Sequence, residues 1–329
     1  MSRNRLLNIG ISIIIIQFLF FSEIIDAAEN DSKSLPQSYY NHEELNICQI
    51  NVTFNSSGYD LYAEIYYPSN SSDIYPGIVF CEGMGGYVYA YNWIPKALAE
   101  QGYVAMVFDF PGQGVSEGFL PMKVISIPLL NLYLRYTIFI ETPIHYFLRE
   151  WVTATTDALT YLLEESVVKE MVDYTKIGLI GHSLGGITVT EVAVVDDRID
   201  AVVALSQGNP LIIKKLDIPI QFQGGCFDLG TYSIPIISRC YKKANSPKEM
   251  ITIRSGTHVG FSTALNQLNP CPPWQKEICL TYAIGWFDYF LKNNSDAYVK
   301  ITTGMPYLSK IVKSRYDFGD GEHILSESI

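Results

Sequence analysis

A serine hydroxyl is a useful nucleophile at neutral pH only with a base in hydrogen-bond reach and a third group holding that base in one tautomer. Candidates for all three roles occur in this chain. Ser183 lies in Gly181-His182-Ser183-Leu184-Gly185, after the apolar run Lys176–Ile180 and before a helix-compatible stretch. Flanking glycines suit a strand–turn–helix connection too tight for side chains, one that lifts the hydroxyl above the edge of a sheet. Asp228 follows Ile218–Gln223, which reads as a buried strand ending in a glycine turn, and His258 follows the strand-like run Glu249–Gly256. Together these side chains could carry out acyl transfer through a covalent intermediate.

Position separates these residues from their rivals. Many loop aspartates are only turn or cap residues, but Asp228 comes after its strand, whereas Asp200 and Asp217 precede theirs and belong to the wrong edge of a parallel sheet. Among the histidines, His42 precedes the first core strand, His145 falls in a region read as an insertion, His182 is inside the serine turn and His323 is in a polar tail. His258 is the expected base and Asp228 the expected acid.

Acyl transfer also needs two N–H donors aimed at the oxygen that becomes negative. Leu184 starts the helix after the nucleophile, so its N–H has no partner within that helix and sits at the positive end of the dipole. The second donor is expected from Glu82-Gly83-Met84-Gly85-Gly86, the loop after the strand Gly77–Cys81, with Met84 N–H as the choice.

Elements must place these residues. Two alternating runs, ICQINVTF and LYAEIYYP, predict an antiparallel hairpin at a sheet edge. Strands near Gly77–Cys81, Tyr103–Phe108, Lys176–Ile180, Ala201–Leu205, Ile218–Gln223 and Met250–Arg254 then alternate with helices. The helices are expected near Trp93–Gln101, Tyr146–Glu165, Leu184–Val194, Ile234–Lys243 and Glu277–Leu291. Such alternation predicts an α/β fold, a mostly parallel doubly wound sheet with helices on both faces. Ser183, Asp228 and His258 then all fall at the C-terminal edge of the sheet, where open α/β sheets bind ligands.

The motifs EGMGG, FDFPGQGVSEG (Phe108 to Gly118), GHSLGG, QGGCFD and GTHVGF resemble those of the α/β-hydrolase superfamily, and most of all its dienelactone-hydrolase and acetyl-esterase-like branch. The resemblance runs from about Val52 to about Leu291, and the order Ser183, Asp228, His258 is that of the superfamily. It implies Ser183 as nucleophile, Asp228 as acid, His258 as base, and Met84 and Leu184 as oxyanion-hole amides. One departure is visible: the family's loop often begins His-Gly, where this chain has Glu82-Gly83.

Residues 1–28 read as a signal peptide, with Arg3 and Arg5 before the apolar stretch Leu6–Phe21 and small residues at Ala27-Ala28; an uncleaved membrane anchor is the alternative. Sequons at Asn51, Asn55, Asn70 and Asn293 fit an exported, glycosylated chain. Residues 45–296 are expected to form the hydrolase domain, and 297–329 a C-terminal tail. The apolar, aromatic stretch 119–146, broken by Pro121, Pro128 and Pro143, is expected to be a lid, with a buried helix pair as the alternative. Six cysteines permit disulfides, Cys271–Cys279 first and Cys226–Cys240 second. The absence of a CxxC pair or His-rich cluster leaves no expectation of a metal or other cofactor. A net charge of −11 argues against nucleic acid; the N-terminal segment is the one expected route to a membrane.

The expected activity is hydrolysis of a small-molecule carboxylic ester by an exported serine hydrolase. A serine peptidase of the same fold and a non-catalytic α/β-hydrolase-like binding protein are the alternatives.

Overall fold

Ile47–Ser56 (β1) alternates exposed and buried side chains and pairs antiparallel, from Ile47 opposite Pro68 to Ser56 opposite Tyr59, with Tyr59–Pro68 (β2). Ser57 and Gly58 connect the strands at φ 53° and 88°. Positive φ at both central residues is the geometry whose twist matches paired strands. The computed structural model describes residues 45–70, 72–118, 144–228, 231–263 and 272–325.

Beyond the hairpin come Tyr75–Cys81 (β3), Val88–Tyr91 (α1), Trp93–Glu100 (α2), Val104–Phe108 (β4), Ile144–Thr160 (α3, prolonged by a π turn over Tyr161–Glu165) and Val172–His182 (β5). Leu184–Val195 (α4), Ala201–Leu205 (β6), Ile220–Gly225 (β7), Ser233–Lys243 (α5), Lys248–Ile253 (β8) and Pro273–Phe290 (α6) follow. Asp296–Thr302 (α7), Arg315–Asp317 (β9) and His323–Ile324 (β10) end the described chain.

One sheet contains all the strands in the order β1-β2-β4-β3-β5-β6-β7-β8-β9-β10, and the block from β4 to β8 is parallel. Every residue of β3, β4, β6 and β7 is buried, as strands covered by helices on both faces must be. Along β7, Phe222 joins the core that contains Ile237 and Cys240 of α5. Its neighbours Gln221 and Gln223 point the other way, donating to the carbonyls of Tyr282 and Cys279 on α6. Opposite helix partners for successive residues are the period of two expressed in packing. At the hairpin end, Trp151 of α3 stacks on Phe110 with centroids 3.8 Å apart and planes 8° from parallel. Burying a side chain of that size contributes about 3 kcal/mol.

Two expectations need correction. Residues 297–329 are not merely a tail. Within their described part, β9 pairs antiparallel with β8, Lys248 forms an ion pair with Asp317 at 3.8 Å, and Phe318 packs on Trp286, Tyr289 and Tyr298. Without β9 the β8 edge would carry unpaired backbone groups, and satisfying them is the physical reason for the added strands. The Cys226–Cys240 disulfide is also absent, as is any disulfide among the described residues. Cys240 is buried facing Gly208 and Phe222, whereas the Cys226 thiol hydrogen-bonds Ser309, so the two sulfurs diverge.

Some expectations lie outside the described residues: the leader at 1–28, His42, nearly all of the 119–146 stretch, and the Cys271 half of the Cys271–Cys279 pair. Among the described residues no helix is long and apolar enough to cross a membrane.

Candidate active site

The chain runs from β3 outward to β4, then returns to place β5 on the other side of β3. Where the strand order reverses, the loops leaving neighbouring strands diverge and open a crevice at their C-terminal ends. The loop after β3, Glu82–Gly86, and the turn after β5, at Ser183, flank that crevice.

Ser183 sits at φ 57° and ψ −118°. A non-glycine residue there costs on the order of 1–3 kcal/mol and persists only where its surroundings enforce it. The enforcement is local. Ser183 N–H donates to Leu205 O on β6 at 2.9 Å, and α4 presses against the end of β3. A Cβ on Gly185 would lie 2.2 Å from Cys81 O and 2.4 Å from Glu82 O, so no larger residue fits.

Asp228 follows β7 and His258 follows β8. His258 Nε2 lies 2.8 Å from Ser183 Oγ, and His258 Nδ1 lies 2.6 Å from Asp228 Oδ2. With the proton on Nδ1, a tautomer assigned from this network, Nε2 accepts from the serine. Asp228 is buried, which alone would raise its carboxyl. Hydrogen bonding and the charge of His258, with bonds from Thr231, nevertheless hold it below its ordinary value. Thr231 is a partner that the sequence did not flag. Its Oγ1 donates to Asp228 Oδ1 at 2.7 Å and lies 3.0 Å from His258 Nδ1. No motif marks it: its bond to Asp228 is local to the loop after β7, and its approach to His258 exists only once β7 and β8 are adjacent.

Met84 and Leu184, the expected amide donors, come from facing segments. Gly83 is close enough to the serine turn that a Cβ there would sit 3.2 Å from Ser183 Cβ. Gly85 N–H and Gly86 N–H are occupied by Gln113 Oε1 and Gly83 O. Neither Met84 N–H nor Leu184 N–H has an acceptor among the described residues.

The rival residues lie elsewhere or are already committed. His182 is buried, its Nδ1 is 2.9 Å from Tyr91 Oη, and burial with the facing His258 pushes its pKa well below the ordinary imidazole value. It stays neutral inside the turn. Asp200 accepts Ile177 N–H at 2.8 Å and Asp217 accepts from Asn245 at 2.8 Å, each ahead of its strand. His323, on β10, faces Asp320 at 3.3 Å. No cluster of His, Cys, Asp and Glu among the described residues could hold a metal. The arrangement is suited to transferring an acyl group to Ser183 and on to water.

A family model described as the alpha/beta hydrolase fold matches residues 76–224, a span from β3 into β7 that contains the Glu82–Gly86 loop and the serine turn.

Proposed function

From its membership of the α/β-hydrolase superfamily, we propose that the chain is a serine hydrolase cleaving carboxylic esters through Ser183, His258 and Asp228. The observation that carries this reading is the unbroken relay from Asp228 to Ser183, with contacts of 2.6 and 2.8 Å, beside two amides without acceptors. Ser183 Oγ attacks the ester carbonyl carbon as its proton passes to His258 Nε2. Met84 N–H and Leu184 N–H take the resulting oxyanion, and Asp228 stabilises the imidazolium. The intermediate collapses by breaking the bond to the alkoxy oxygen, which leaves as the alcohol with the proton from His258. Water, deprotonated by the same nitrogen, then attacks the acyl-enzyme; the acid departs and Ser183 recovers its proton.

The test is Ser183→Ala, which removes the bond-forming oxygen and little packing. Turnover should fall by on the order of a million-fold, with the melting temperature unchanged and labelling by a fluorophosphonate probe lost. Retention of more than a few per cent of activity, with contamination excluded, overturns the reading.

Export and glycosylation belong to the same proposal. Asn51, Asn55, Asn70 and Asn293 all sit at exposed positions, which glycosylation requires. Protein from a secreting eukaryotic host should begin near residue 29 and lose mass on treatment with an N-glycosidase. An intact leader and an unchanged mass would refute that part alone.

A further inference from the structure

An oxyanion donor works only if its N–H is held to within about 0.5 Å of the productive position. Yet Met84 lies in a five-residue segment with three glycines, and that composition alone cannot hold a position. Two buried side chains supply the restraint. Gln113, from the loop after β4, donates through Nε2 to Gly83 O at 3.3 Å and accepts Gly85 N–H through Oε1 at 2.5 Å. It therefore grips the residue before and the residue after Met84. The grip requires one orientation of the amide, since a flipped Gln113 would aim its NH2 at Gly85 N–H.

Glu82 sets that orientation. Its Oε1 accepts Gln113 Nε2 at 2.6 Å and Phe110 N–H at 3.2 Å, so the nitrogen of Gln113 faces Glu82 and the oxygen is left for Gly85. Glu82 has no solvent exposure, and its Oε2 has no partner among the described residues. Such a group at the base of the loop is costly unless it does something. Burial, and then the nearby Asp109, drive its carboxyl well above the ordinary value, with bonds from Phe110 and Gln113 only partly opposing. Burial thus disfavours a negative charge on this side chain at the base of the loop.

We infer that Glu82 and Gln113 form a positioning pair that fixes Met84 N–H as an oxyanion donor. The inference rests on the reading of Ser183 as nucleophile and Met84 as donor. Glu82→Leu and Gln113→Leu should each lower kcat on a simple aryl ester by roughly ten- to a hundred-fold with KM within about twofold. The ceiling is the roughly hundred- to thousand-fold cost of losing a donor entirely. The double variant should be little worse than either single one, because both break the same linkage. Glu82→Gln, which keeps the oxygen facing Gln113, should recover most of the activity lost in Glu82→Leu.

A purely structural role would instead lower the melting temperature while leaving the kcat of fluorophosphonate-titrated sites intact. That result, or losses in the two leucine variants that multiply, overturns the inference. Should either leucine variant not fold, Gln113→Asn keeps the amide but withdraws it by one methylene. Wild-type kcat in that folded variant overturns the inference equally. Loss of activity in Ser183→Ala alongside normal kcat in these variants would remove the positioning pair and leave the proposed function standing, whereas activity in Ser183→Ala would remove both.

Discussion

At the residue scale, Asp228 and His258 illustrate how far a role depends on neighbours rather than on residue type. An aspartate at the end of a strand is ordinary. Asp228 differs because both carboxylate oxygens are engaged, Oδ2 by His258 and Oδ1 by Thr231. Asp228→Asn should preserve the fold and yet lower turnover by on the order of ten-thousand-fold, since an amide favours the wrong imidazole tautomer. Asp200→Asn and Asp217→Asn should leave turnover within a few-fold, because both side chains bond at the opposite sheet edge. Steady-state kinetics on the three variants check this, and inactivation by Asp217→Asn with a silent Asp228→Asn would contradict it. Ser183, Asp228 and His258 could be picked out in the sequence because each follows a strand whose pattern is legible. Gln113 could not, since Glu82 lies 31 residues away; nor could Thr231, whose bond to Asp228 three residues earlier is that of an ordinary turn and whose approach to His258 spans 27 residues.

At the element scale, β7, β8 and α6 enclose a polar layer within an otherwise apolar face. Gln223 donates to Gln221, Gln221 donates to Glu249 at 2.5 Å, and Glu249 has no solvent exposure. Burial holds the Glu249 carboxyl well above its ordinary value, opposed in part by the bond from Gln221. In the unfolded chain that group ionises near pH 4.3, about the ordinary value for Glu. From there up to its raised folded value the unfolded state binds fewer protons than the native one. Stability therefore falls as pH rises through that window, by up to about 1.4 kcal/mol per pH unit. Glu249→Gln removes this slope. The melting temperature of the variant should gain on wild type as pH increases above the unfolded value, and parallel curves across that range would count against the account. The alternating apolar and helical patterns made the strands and helices readable, while this layer left no signal beyond two glutamines and a glutamate in runs that are apolar elsewhere.

For the whole molecule, the C-terminal segment shows what sequence patterning cannot supply. β9 and β10 have three and two residues, too few to display a period, and their composition is polar. They are strands because β8 offers an edge and because Phe318 anchors them in an aromatic cluster with Trp286 and Tyr298. Truncation after residue 312 should leave Ser183, Asp228 and His258 in sequence but expose the Lys248–Met250 part of the β8 edge. The shortened protein should melt lower and scatter light at concentrations where the full chain stays clear. Equal melting and equal clarity would show that these strands are dispensable. The parallel block itself was legible, since strand and helix alternate from β3 to α6 except between β6 and β7.

The contact between Gly185 and the carbonyls of Cys81 and Glu82 has a consequence for accuracy. Met84 and Leu184 are separated by a hundred positions of chain, yet the gap between their segments is set by one atom touching another, as the jaws of a caliper are set by a stop. Errors accumulated in the intervening helix and loops cancel out of the spacing of the two donors. Outside the Phe110–Gln113 loop that grips the segment around Met84, the long stretch between them can vary in length and shape without retuning the proposed oxyanion hole, provided residue 185 never acquires a side chain.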